Sequence, residues 1–406
     1  MTNTSMNICM LSNLFHPVMS GSATQTQSLS RELVKRGHTV VVITARVDKQ
    51  SPEYECVEGV HIYRLPAIRL PEMGISFNFP WFSYTFTPAN IMRIRKIIIR
   101  HRCQVIHLHN HMLDLAFSAV LLSRSMKMPF VITFHTIIKH ARPLYNLILL
   151  PLDRIFLKWC VVRQAQCVIC PDMNMVDYAV KGFGKDIKKE MIPYGINLLP
   201  ESSLGTVSEL RKKYGLDGKR VILSLGHVHE IRNRRDLVEA MPSVLEVFPE
   251  TVLLIVGAEA TRTPSDTARK LGISDAVVFT GPMPYDLVPA FVKLCDIEAH
   301  WLTQESADKT SLGIATLEVM GAGKTVLAAV NEDTHGYGII KNRENLILVE
   351  PNKPDALARV IIEILGDDGQ RERIGRNAHV VIRDKFSWDS ICTKTTALYA
   401  QLLADR

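Results

Sequence analysis

The chain is paced by short apolar runs that are too continuous to be half-exposed strands. In the first half they read "MNICMLS", "TVVVITA", "QVIHLH", "FVITFH", "CVICP" and "EMIPYGI". In the second half they read "KRVILSLG", "TVLLIVG", "AVVFTG", "DIEAHWL", "KTVLAAV" and "NLILVEP". Runs of Val, Ile and Leu bounded by Gly, Asn or Asp fit strands covered on both faces, as in a parallel sheet. Between them lie stretches of helical period at Thr24–Arg36, Leu113–Ser125, Arg234–Phe248, Pro284–Leu294 and Asp355–Leu365. This alternation implies an α/β fold with doubly wound parallel sheets. The polar stretch "NLLPESSLGTVSELRKKYGLDGK" interrupts the rhythm near residue 200. It divides the chain into two Rossmann-like halves, expected at 1–198 and 199–385, that face each other. Ligands in such folds bind at the carboxyl ends of the strands, so the cleft between halves is the expected site. The tail after residue 370 reads as two helices broken near Lys385–Trp388.

Composition narrows the function classes. Hydrophobic residues make up 47% of the chain and charged ones 22%, as in an ordinary globular protein. No apolar run approaches the ~18–20 residues needed to span a bilayer. The best candidate, "YNLILLPLDRIFLKWCVV", is broken by Pro151, Asp153 and Arg154. No signal peptide is read at the N-terminus. Eight cysteines in 406 residues are too sparse for a disulfide framework, so a reducing, cytoplasmic setting is expected. Cys167 and Cys170 sit three apart in a strand-like run and so face opposite sides, which favours packing over metal or redox chemistry. A formal charge of +7 favours anionic partners. Nucleotide phosphates and an acidic lipid surface fit better than nucleic acid, because no basic tail or aromatic-plus-basic signature is present.

The segment "LEVMGAGKTVLAAV" looks like a phosphate-binding P-loop but does not fit one. That loop needs a glycine five residues before the Gly of Gly-Lys-Thr, and Glu318 stands there. Its order is strand, loop, helix, whereas here a helix closed by small residues runs into a strand.

Taken in register, several stretches resemble the retaining glycosyltransferases of family 4, which have the GT-B fold. "FHPVMSGSATQTQSLSRELVKRGHTVVVIT" is similar to that family's opening strand, glycine loop, helix and Arg-Gly-His strand. "QVIHLHNH" and "PFVITFH" resemble its middle strands, and "EMIPYGIN" its boundary motif. "ILSLGHVHEIRNRRDLVEAM" and "TSLGIATLEVMGAGKTVLAA" sit where the family has its Gly-Arg…Lys segment and its Glu-x7-Glu signature.

The resemblance implies a hexosyltransferase of the EC 2.4 class. It would move a sugar from a nucleotide-diphosphate donor to a lipid-linked or cell-envelope glycan, with residues 386–406 packing back on the first domain. Glu318 aligns with the signature's second Glu, implied to accept hydrogen bonds from ribose hydroxyls, as acidic residues do in dinucleotide folds. Arg232 falls at the family's phosphate-binding Lys and His227 at its Arg, with Arg234 and Arg235 as alternatives. Gly21 and Ser22 match the loop that approaches donor and acceptor. His135 matches the active-site histidine, able to stabilise charge on the leaving diphosphate. Thr310, Ser311, Leu312 and Gly313 replace the usual Glu-Gly-Phe-Gly turn that holds the sugar, so the first signature Glu is here Thr310. Protein cations and helix N-termini can neutralise the diphosphate, so no metal or other cofactor is expected to be required.

Three further readings stand beside this one. Thr310 and His227 motivate a non-catalytic GT-B-like subunit. His107, His109 and His111 at spacing two could ligate zinc in a hydrolase, although Asn110 stands where a common motif has Asp. Ordinary residues at a strand end, with His109 and His111 touching the acceptor, explain the same pattern. Finally, "NIMRIRKIIIRHR" and "RPLYNLILLPLDRIFLKW" mix bulky apolar and basic side chains. Such helices either cover a sheet or lie on an anionic membrane, which would make the protein peripheral at the inner face.

Overall fold

The computed structural model describes residues 5–18, 20–48, 50–69, 83–139, 143–200, 204–303 and 311–405. They form two compact units, Met1–Gly195 with Trp388–Arg406, and Ile196–Ser387.

The first unit is built on β1 (Asn7–Leu11), β2 (Thr39–Ala45), β3 (Tyr54–Val57), β4 (Val60–Leu65), β5 (Ile68–Arg69), β6 (Ser83–Tyr84), β7 (Val105–His109), β8 (Phe130–Thr133), β9 (Cys167–Cys170) and β10 (Lys189–Met191). Eight of these form one sheet in the order β10-β9-β8-β7-β1-β2-β4-β3, and β5 pairs with β6 separately. Every pairing in the large sheet is parallel except β3 with β4. Alternate residues serve opposite cores, as the period of a strand requires. Ile8 and Met10 of β1 join a cluster with α1 (Gly21–Lys35) and α14 (Trp388–Ala404). Cys9 and Leu11 join the cluster beneath α2 (Pro88–Arg100), α3 (Leu115–Met126) and α6 (Met173–Phe183). α14 buries Ile391, Leu398, Tyr399 and Leu402 there, each contributing about 1.5–3 kcal/mol relative to exposure. Between β8 and β9 run α4 (Pro143–Pro151), a π-helical turn (Leu152–Leu157) and α5 (Lys158–Cys160).

The second unit has six parallel strands: β11 (Arg220–Leu225), β12 (Thr251–Val256), β13 (Val277–Phe279), β14 (Ile297–Trp301), β15 (Thr325–Ala328) and β16 (Ile347–Leu348). Their order is β13-β12-β11-β14-β15-β16. α7 (Leu204–Tyr214), α10 (Val288–Leu294), α11 (Ile314–Gly321) and α13 (Asp368–Lys385) cover one face. α8 (Arg234–Val247), α9 (Thr263–Lys270) and α12 (Pro354–Gly366) cover the other.

Strand order reverses between β11 and β14 in the second unit, and between β1 and β7 in the first. Each reversal splays the loops at the carboxyl ends apart and leaves a crevice, the usual ligand position in open α/β sheets. The GAGKT stretch lies elsewhere in function. Gly323 makes a left-handed turn at φ 77°, and Lys324 donates to the Cys295 carbonyl at 2.6 Å. It is a helix-to-strand connection.

Candidate functional site

In the second unit, the segment after β11 leaves the reversal point through a 3-10 turn, Glu230–Arg232, into α8. The peptide N–H of Leu302, just past β14, donates to the Arg232 carbonyl at 3.3 Å and ties the two loops together. Close approach also sets the bed of the loop. A Cβ on Gly257, at the end of β12, would lie 2.2 Å from the Gly226 carbonyl oxygen, so only glycine lets these strand ends meet.

The basic run "RNRRD" separates into three roles. Arg234 is buried, with Nε donating to Ser224 Oγ at 2.7 Å and its terminal nitrogens to the carbonyls of His227 and Gly226 at 2.6 and 2.8 Å. It shapes the loop from beneath. Arg235 is exposed and pairs with Glu239 at 2.7 Å. Arg232 remains, half-buried on the turn itself. Burial pushes its guanidinium down to about 10, with Arg234 adding to the shift and Glu298 opposing it. Burial likewise pushes Arg234 down to about 10. Two desolvated guanidiniums this close favour an anion beside them. His227 is exposed on the same loop, its ring 5.9 Å from that of His229.

Glu318 lies on α11, which follows β14. It is 5% exposed, so it is no solvated helix carboxylate. The Tyr285 hydroxyl donates to its Oε1. Burial raises its pKa and the Tyr285 bond opposes that shift. A carboxylate held in this under-solvated state gains from further hydroxyl donors. Ser311, Leu312 and Gly313 form the approach to α11, with Gly313 as its N-cap. Thr316 on α11 meets His300 on β14, Oγ1 to Nδ1 3.2 Å, and His300 contacts the buried carboxylate of Glu298. Thr310 lies outside the described residues.

In the first unit, Gly21 opens α1, where Ser20 Oγ accepts from the Ala23 N–H at 3.1 Å and lies 3.2 Å from Ser22 Oγ. Among the described residues, none outside the glycine's own chain neighbours and helix backbone comes within 4 Å of where a Gly21 Cβ would be, so the space beside it is open. Beyond the ends of β7 and β8 sits a chain of rings. His109 Nδ1 is 2.9 Å from His135 Nε2, and His135 Nδ1 is 2.9 Å from the Tyr194 hydroxyl. Tyr194 also stacks on His135 with 6° between planes. Beside them, His107 bonds Thr133 Oγ1 at 2.7 Å and the Tyr399 hydroxyl of α14 at 2.6 Å. Burial pushes His107 and His135 down to about 3, and His109 also well below its ordinary value. All three rings are neutral at pH 7. Both nitrogens of His135 are engaged within the chain of rings, whereas His109 Nε2 is buried without a hydrogen-bond partner among the described residues. The rings line a cavity of about 30 Å³ together with Gln25, Thr395 and Trp388. That is room for one water molecule.

The histidine triplet does not share a face. Asn110 turns left-handed at φ 74°, so His107 and His109 face one side and His111 the other. His111 is fully buried, with Nε2 3.0 Å from Asp153 and 3.1 Å from the Tyr178 hydroxyl. This corrects two expectations. His111 is removed from the candidate acceptor contacts, and the zinc reading loses its third ligand. Among the described residues no group of three or more His, Cys, Asp or Glu is placed to hold a metal ion.

Residues missed in the sequence are Tyr285, Tyr194 and Gly257. A glycine closing "TVLLIVG" was a visible signal for the last. The tyrosines carried none, because they act through contacts distant in the chain.

Two family descriptions match the chain in order: Glycosyltransferase Family 4 over residues 19–198, and Glycosyl transferases group 1 over residues 206–381. An uncharacterised glycosyltransferase of Methanocaldococcus jannaschii is 28% identical over 405 residues, 97% of this chain and 98% of that protein. The alpha-monoglucosyldiacylglycerol synthase of Streptococcus pneumoniae is 26% identical over 80% of this chain and 71% of that one. A glycosyltransferase structure from Rickettsia africae aligns with a TM-score of 0.73 at 18% identity, covering 99% and 100% of the two chains. The Anabaena protein HepE, solved in complex with UDP, gives 0.72 at 16% identity, with 98% and 100% covered. The two matched families, one on each unit, and this shared architecture place the chain: it belongs to the family 4 glycosyltransferases, has the GT-B fold, and is an enzyme of the class that transfers glycosyl groups.

Proposed function

We propose that the chain moves a hexosyl unit from a nucleotide-diphosphate sugar to a hydroxyl of a lipid-linked or cell-envelope glycan, with retention at the anomeric carbon. The bond from that carbon to the diphosphate breaks, and its electron pair leaves with the diphosphate. The acceptor oxygen bonds the same face, and its proton passes to the diphosphate. Glu318 accepts the ribose hydroxyls and Arg232 binds the diphosphate, with His227 beside it. Thr310 and the Ser311–Gly313 approach hold the sugar. Gly21 and Ser22 leave room for substrate, and neutral His135, both of its nitrogens held in the chain of rings, positions His109, whose Nε2 serves the reacting end by hydrogen bonding rather than by charge. The protein acts in the cytoplasm, and the arginine and the amides of the loops supply the positive charge that the diphosphate needs.

The observation that carries this reading is the buried carboxylate of Glu318, held by a neutral hydroxyl in the unit that also presents Arg232. A nucleotide-diphosphate sugar supplies vicinal hydroxyls for Glu318 and a diphosphate anion for Arg232. The experiment compares Arg232→Ala with Arg235→Ala in titrations of the nucleoside diphosphate. Loss of a charge-assisted contact weakens binding about ten- to hundredfold in R232A and leaves R235A near wild type. Equal effects in both would place the phosphate elsewhere.

A further inference from the structure

The helical segment between β8 and β9 is turned inside out. Its polar residue faces in: Asp153 is fully buried, accepting from the Tyr178 hydroxyl at 2.6 Å and lying 3.0 Å from His111 Nε2. Leu157 and Val161, four and eight residues on, are buried on the same side. Its apolar residues face out. Leu144, Leu147, Ile148, Ile155, Phe156 and Trp159 are each 48–73% exposed. Leu144, Leu147 and Ile148 share one face of α4 at i, i+3 and i+4, and the π-helical turn and α5 present Ile155, Phe156 and Trp159 to solvent as well. A helix of a globular protein ordinarily points such a stripe at the core, so this one is built to meet something apolar. The second basic and apolar segment behaves in the ordinary way. α2 buries Ile94 and Ile98 and turns Arg93, Arg95 and Lys96 outward.

Charge identifies the partner. From Leu115 to Pro171 the sequence holds seven Lys and Arg and one acid, the buried Asp153. Arg154 is exposed beside the stripe, Lys158 is half-buried, and the guanidinium of Arg163, which pairs with Asp186 at 2.8 Å, stacks over the Trp159 ring at 4.7 Å from its centroid, so Arg154 and Lys158 carry the rim's charge. A second copy of the chain in an isologous pairing would set these cations against themselves. An anionic bilayer offers apolar depth for the stripe and counter-charge for its rim, with Trp159 at the interface. We propose that α4, the π-helical turn and α5 dock the protein on an anionic membrane surface, lying in its interface without crossing it. Among the described residues no helix is long and apolar enough to cross. Delivery of a lipid acceptor at that surface rests on the transferase reading, whereas the docking itself does not.

The test is co-sedimentation of the full chain, without donor, with vesicles of equal parts phosphatidylglycerol and phosphatidylcholine, and with phosphatidylcholine alone. Leu147→Glu/Ile155→Glu replaces two exposed side chains, so its melting temperature and its donor binding stay at wild-type values. The wild type sediments with anionic vesicles, far less with neutral ones, and salt weakens the binding. The variant loses at least about tenfold in vesicle affinity. A wild type indifferent to lipid charge, or a variant that binds as well as wild type, overturns the proposal. So does a wild-type dimer that the variant makes monomeric, which gives the stripe to a second copy. Vesicle binding by a chain that transfers no sugar would separate this proposal from the function above.

Discussion

Replacing Glu318 by Ala lowers kcat/KM for the sugar donor by roughly a hundred- to ten-thousandfold. A carboxylate that accepts two hydroxyls makes charge-assisted hydrogen bonds worth about 1.5–3 kcal/mol each, and alanine removes both. Glu318→Gln keeps one amide oxygen as an acceptor and loses the charge, so its deficit falls between alanine and wild type. The fold tolerates either change. The side-chain partner given up inside the protein is the hydroxyl of Tyr285, itself 58% exposed and able to turn to water. Steady-state kinetics on the two variants, with melting curves alongside, checks this. Alanine activity within about threefold of wild type, on the scale of a neutral contact, would make Glu318 a structural residue.

The second large effect is a loss of stability on mild acidification. In the folded chain His107 takes up a proton only near pH 3, because burial disfavours the charged ring. In the unfolded chain it does so near the ordinary histidine value of about 6.5. Between those values the unfolded state binds more protons, so stability rises with pH through that window and falls as pH drops below about 6.5. At pH 5 the loss from this ring is about 2 kcal/mol relative to neutral pH. His109 and His135 in the same unit shift in the same direction. In the second unit His335, pushed down to about 4 by burial, does so as well. Urea unfolding at pH 7 and pH 5 measures the change. His107→Gln, which never ionises and can still reach Thr133 and Tyr399, flattens the pH dependence by about one proton's worth of slope. An unchanged slope in that variant would show that His107 is not held neutral.

Much of this architecture was readable in the sequence because buried parallel strands leave continuous apolar runs. Each of the twelve runs corresponds to a strand of the two sheets. The hairpin β3–β4 was not read. Its residues "YECVEGVHIYRL" alternate polar and apolar at the sheet edge, and its turn at Glu58-Gly59 has no Asn-Gly or Asp-Gly signal. Glu318 was found by its place in a motif, yet its partner Tyr285 lies thirty-three residues away. The cluster of arginines was legible as a cluster only. Which one turns inward depends on Ser224 and two carbonyls that the sequence does not connect to Arg234. Asp153 read as a charge that breaks a membrane span, and the structure shows why it can sit in an apolar segment: it faces His111 and Tyr178. The left-handed turn at Asn110 was likewise invisible, and it is what splits the three histidines.

The most direct test of the account is calorimetric titration of the purified chain with a panel of nucleotide-diphosphate sugars that varies base and sugar. The account predicts that one of them binds, and that at a hundred times its dissociation constant it stabilises the fold by about 2.7 kcal/mol. A panel in which no nucleotide-diphosphate sugar binds or stabilises the protein would contradict it.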